Sequence, residues 1–111
     1  MKAFVERCYQ RVPFTAQLTV FASGGVMLSR GYAINLSRGG IGFYADDPVP
    51  ADQAVKIILR TTIGGKPFEA ELPATVCWCV PQEPGAIAGA EFAAVLTPET
   101  HPELCACLKG A

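Results

Sequence analysis

The sequence predicts an all-β protein, a small antiparallel barrel of six or seven short strands followed by one short C-terminal helix. Three observations carry that expectation. Apolar and polar residues alternate through several stretches, as a strand with one buried face requires. Glycine pairs and proline-rich loops interrupt the alternation at close spacing. Near the end of the chain, Thr100-His101-Pro102-Glu103 has the form of a helix-capping box with proline tolerated in the first turn.

Thr15 to Ala22 sets Ala16, Leu18, Val20 and Ala22 on one face and Thr15, Gln17, Thr19 and Phe21 on the other. Ser23-Gly24-Gly25 turns the chain into a returning strand over Val26 to Leu36, within which Gly31 predicts a bulge or bend. Ser37 to Gly40 breaks the run, and Ile41 to Tyr44 resumes it before the Asp46-Asp47-Pro48 loop. Val55 to Thr62 and the alternating Phe68, Ala70 and Leu72 form a hairpin around Gly64-Gly65. Ala74 to Val80 places Val76, Trp78 and Val80 on one face, and Ala86 to Leu96 is the last strand. The terminal helix runs through Leu104, Cys107 and Leu108 over residues 100–109.

At 111 residues the chain has room for one core, so a single domain spanning 1–111 is expected. Half its residues are apolar and 17% are charged, a composition that excludes disorder. The net charge of −1 is unevenly spread, because the first 40 residues carry five basic groups and one acidic, while the rest carry four basic and nine acidic. A basic end of that size suits a small anionic ligand, whereas DNA or RNA would call for a broad basic stripe. No apolar run reaches the length of a membrane span and Glu6 interrupts any signal-peptide core, so a cytoplasmic protein is expected.

Two motifs lie in that basic end. Arg7 and Arg11 are four residues apart, and their planar forks can grip phosphate oxygens or the O6 and N7 edge of guanine. Pro13 biases Val12 away from helical angles, so residues 1–13 are read as a flexible arm ahead of a barrel over 14–96. Extended, such an arm separates the two arginines by roughly 13 Å, enough to bracket a bulky ligand. The second motif, Asn35-x-Ser37-x-x-Gly40, puts short polar side chains and exposed backbone N–H groups on a turn.

Arg7-Cys8-Tyr9-Gln10-Arg11 with Val12-Pro13, followed by Asn35-Leu36-Ser37-Arg38-Gly39-Gly40-Ile41, resembles the PilZ domain, a family of bacterial receptors for cyclic di-GMP. Val76-Cys77-Trp78 and Gly89-Ala90-Glu91-Phe92 resemble two of its later strands, so the likeness runs from about Glu6 to about Val95. The resemblance implies a six-stranded barrel with a C-terminal helix. It also implies that Arg7 and Arg11 hold the phosphates and the guanine Hoogsteen edge, and that Asn35 and Ser37 make polar contacts. Gly39 and Gly40 would permit positive φ and close backbone approach, with Arg38 adding charge or stacking on a base. Glu6 precedes the first arginine, at a position the family links to binding of one ligand or a stacked pair, and the number stays open.

The expected function is therefore a second-messenger receptor with no cofactor beyond its ligand, one that orders its arm on binding and signals to a downstream protein. A PilZ-like adaptor that binds protein without nucleotide is the alternative, although such members lack the arginines or the Asn-x-Ser pattern that this chain keeps. Five cysteines, including Cys77-Trp78-Cys79 and Cys105-Ala106-Cys107, read as free thiols; a four-thiolate zinc site is a further alternative, though it lacks the usual C-x-x-C knuckle. The one histidine, His101, has no nucleophile motif beside it, and Glu91 is read as a structural carboxylate at the barrel rim, so no catalytic activity is expected.

Overall fold

A computed structural model describes residues 9–108. Six strands form a closed antiparallel barrel: β1 (Val12–Ala22), β2 (Met27–Leu36), β3 (Gly40–Ala45), β4 (Ala54–Ile63), β5 (Lys66–Pro81) and β6 (Ala86–Phe92). Their order around the barrel is β1-β2-β3-β6-β5-β4, closed by pairing of β4 with β1. A six-residue helix, α1 (Pro102–Cys107), follows.

The alternation seen in the sequence fills the barrel. Ala16, Leu18 and Val20 of β1 are buried, as are Val55, Ile57 and Leu59 of β4. Phe43 of β3 is fully buried between two small cross-strand neighbours, Ala33 and Ala88, so the largest interior ring is accommodated by the smallest side chains beside it. Each such buried large side chain contributes about 1.5–3 kcal/mol. Leu96 and Leu104 are also buried in the core cluster, tying the segment after β6 and α1 onto the barrel.

Several local expectations are corrected. The first strand begins at Val12, so Val12 and Pro13 belong to the barrel and not to an arm. The register passes through Gly31 without a shift; glycine is needed because a Cβ there would strike the Tyr44 carbonyl, and the irregularity falls between Ala33 and Asn35. The two stretches around Pro73 form one strand, since β6 ends opposite Ala74 and leaves Pro73 at an edge where no ladder N–H is required. A bulge between Val76 and Trp78 breaks the predicted common face: Val76 is fully buried, whereas Val80 is 52% exposed. The last strand stops at Phe92 instead of Leu96.

The capping box does not form. His101 is the N-cap and makes no side-chain cap bond. Thr100 instead closes a turn with Thr97, its backbone N–H donating to Thr97 Oγ1 at 3.1 Å while its own hydroxyl accepts from the Thr97 N–H at 3.1 Å. The helix occupies 102–107 within the predicted 100–109.

Candidate functional site

The site builds outward from the end of β2. Leu36 is fully buried and pairs with Val12, so the residue before β1, Arg11, lies beside the start of the second motif. The Arg11 guanidinium donates through Nη1 to Asn35 Oδ1, across 24 residues of sequence. The two motifs are thereby joined by a charge-assisted hydrogen bond at the protein surface. Arg7 lies outside the described residues.

Ser37 is placed differently from its expected role. It is fully buried, and its Oγ accepts from the backbone N–H of Gly39 at 3.2 Å and of Gly40 at 3.1 Å. Its own N–H donates to the Gly40 carbonyl at 2.9 Å. The hydroxyl and the two glycine N–H groups are thus engaged with one another, so the turn is closed by a side chain and its N–H groups do not face outward for an anion. Among the described residues the glycines with positive φ are Gly25, Gly64, Gly65 and Gly85, and Gly39 and Gly40 are not among them. The outer faces of this turn are held as well, because the Arg38 carbonyl accepts from Leu96 N–H at 2.9 Å and the Gly39 carbonyl from Phe92 N–H at 2.9 Å. Arg38 projects its side chain into solvent from that fixed backbone.

Asn35 belongs to a row that crosses five strands. Pro13, Asn35, Gly42, Gly89 and Trp78 are successive cross-strand partners on β1, β2, β3, β6 and β5. The two central glycines are covered on the outer face by neighbouring side chains. A Cβ at Gly42 would lie 2.8 Å from Asn35 Oδ1, and one at Gly89 would run into the Trp78 ring, so the amide and the indole both lie over glycine. Gly42, Gly89 and the orientation of Trp78 were missed by the sequence reading of the site. Their signal was the G-x-G spacing around Gly40 and Gly42 and the Trp78 to Gly89 register, which depends on the bulge near Cys77.

Glu91 lies half-buried in the next outer row, between Gly40 and Thr75, and forms no ion pair among the described residues. Cys79 and Cys107 pack against the core, and burial pushes the Cys107 thiol above its ordinary value. Among the described residues no group of three His, Cys, Asp or Glu is placed to hold a metal.

The six strands and short terminal helix define a small closed β-barrel domain. The PilZ domain family model matches residues 6–110, and the chain belongs to that family, whose members are generally receptors or adaptors for cyclic di-GMP. Among solved structures it is similar to the Bacillus subtilis inhibitor of motility MotI/DgrA, with a TM-score of 0.71 and 18% identity, covering 98% of this chain and 53% of that one. The chain therefore spans about half the length of that protein. It is also similar to the PilZ domain of CeSA from a cellulose-synthesizing bacterium, with a TM-score of 0.58 and 20% identity, covering 91% of this chain and 96% of that one. At these identities the two structures establish the fold. No curated protein matches the chain in sequence. No helix among the described residues is long and apolar enough to cross a membrane.

Proposed function

We propose that this chain is a non-catalytic receptor for cyclic di-GMP, bound on the outer wall of the barrel between the Arg11 guanidinium and the glycine row. The observation that carries this reading is the Arg11 to Asn35 bond, which brings residues of both motifs to one place. The guanidinium presents five N–H donors in a plane, and Asn35 takes one of them, fixing the orientation of the fork. A fork so held suits the O6 and N7 edge of guanine or two phosphate oxygens. Arg7, four residues earlier, supplies the second cation.

The indole of Trp78 adds a surface for a base. Gly89 lets that ring lie close to the sheet, and Gly42 does the same for the Asn35 amide, so both side chains sit low on the outer wall of one row. Stacking of a base on an aromatic side chain is worth about 1–3 kcal/mol. In this reading Asn35 positions Arg11 and lines the ligand, whereas Ser37, Gly39 and Gly40 shape the turn and Arg38 supplies charge at its rim. Ligand binding orders the residues ahead of β1, at a cost of about 1–2 kcal/mol per fixed backbone residue, and a partner protein reads the resulting surface.

Titration of the purified protein with cyclic di-GMP, using GTP and cyclic di-AMP as controls, tests this reading. Selective binding of cyclic di-GMP supports it. Absence of binding leaves the nucleotide-independent adaptor.

A further inference from the structure

A second concavity lies on the outer face of β1, between β2 and β4. It is a groove of about 690 Å³, and a contiguous one of about 490 Å³ extends it past Gln17, Tyr32 and Arg60 toward Thr15 and Thr62. The register explains its walls. Thr19 has Arg30 on one side and Ile58 on the other, while Gln17 has Tyr32 and Arg60. Two arginines thus flank β1 diagonally, with Phe21 and Met27 closing the far end.

The arginines are prepared to different degrees. Arg60 is oriented by Glu69, its Nε donating to the carboxylate at 3.1 Å. Arg30 has no carboxylate within ion-pair distance among the described residues, although Asp46 lines the same groove. Its backbone is fixed, because the Arg30 carbonyl accepts from the Asp46 N–H at 2.7 Å and from Ser29 Oγ at 2.9 Å. Tyr32 stays 51% exposed and Met27 46%, on a sheet whose inner face is closely filled.

We propose that this groove is a docking surface for an extended acidic segment of a partner protein, whose carboxylates engage Arg30 and Arg60 and whose apolar side chains lie against Tyr32, Phe21 and Met27. Arginine, aromatic residues and methionine are the side chains that concentrate at the centres of protein interfaces. Arg30, which forms no ion pair among the described residues, selects an acidic partner, with Arg60 already oriented by Glu69 as a second contact, and the length of the combined groove suits an extended one. Because the barrel is closed, such a segment is held by side chains and not by addition of a strand. The assignment deepens the receptor reading, since it names the surface through which the receptor acts. The Tyr32 ring stacks on Tyr44 at 5.1 Å, and Tyr44 is two residues from Gly42, so the groove adjoins the glycine row.

The test is selection of a displayed random peptide library on the immobilised full chain, with and without cyclic di-GMP, followed by binding measurements on the enriched peptides. The expected result is enrichment of peptides with Asp or Glu beside aromatic or aliphatic residues. Their affinity should fall about tenfold or more in Arg30→Glu and in Tyr32→Ala, with circular dichroism unchanged. Arg30→Glu should keep the parent's response to cyclic di-GMP. Peptides that bind the groove of a chain with no affinity for the dinucleotide would sink the receptor reading and leave this surface standing. No enrichment in either condition, enriched peptides without acidic residues, or affinity unchanged in Arg30→Glu would overturn the docking surface.

Discussion

Arg11 and Asn35 are joined by a hydrogen bond from Nη1 to Oδ1, so the residue that precedes the barrel and the penultimate residue of β2 act as one unit. Asn35 is in turn seated over Gly42, whose lack of a side chain makes room for the amide. A long, rotamer-rich side chain is thereby held by a short one.

That relationship predicts the behaviour of Asn35→Ala. The variant keeps the charge of Arg11 but releases its orientation, so affinity for cyclic di-GMP should fall by about tenfold or more, a hydrogen bond to a charged group being worth about 1.5–3 kcal/mol. Calorimetry would show the loss, with thermal stability nearly unchanged because the pair is at the surface.

Ser37→Ala separates stability from binding in the opposite sense. Removing the hydroxyl leaves two buried N–H groups, those of Gly39 and Gly40, without their acceptor. The expected cost is about 1–3 kcal/mol in urea unfolding. An unchanged unfolding midpoint would show that the turn does not depend on this side chain.

Gly89→Ala should displace the Trp78 ring, since the added methyl group occupies its place. Trp78 is the one tryptophan of the chain, so its fluorescence reports the change directly. A shifted emission maximum with cyclic di-GMP affinity reduced several-fold is expected; the parent spectrum and parent affinity together would contradict a role for the glycine row.

Cys107 gives a pH dependence with a definite sign. Burial raises its thiol above the ordinary value of 9.0, so the folded protein holds that proton more tightly than the unfolded chain. The contribution is present below pH 9.0 and is lost as pH rises through the raised folded value. Melting temperature should decline over that alkaline range more steeply in the parent than in Cys107→Ala, and alkylation of the thiol at pH 8 should be slower than for a free thiol.

Much of the barrel was legible in the sequence because period-two burial leaves a direct trace: Ala16, Leu18 and Val20 alternate in the sequence and line the interior. The Val76 to Val80 face was not legible, because a bulge reverses the alternation without any marker such as glycine at that point. The continuity of the stretches ending at Leu72 and starting at Ala74 was not legible, since the edge position of Pro73 depends on where a distant strand stops. At the site, Arg11 and Asn35 could be named from motif spacing, whereas Ser37 could not be assigned its buried bonds, because one serine hydroxyl serves a ligand or a turn equally well. Gly42 and Gly89 become neighbours only through the pairing of β3 with β6.

In the proposed receptor the arginine pair and the Asn35 turn together grip cyclic di-GMP. Isothermal titration of cyclic di-GMP into the parent, Arg7→Ala and Arg11→Ala proteins tests it most directly. The account predicts binding by the parent and a loss of about tenfold or more in each variant, with folding retained, as expected when a charge-assisted contact worth about 1.5–3 kcal/mol is removed. Equal affinity in the parent and both variants would contradict it.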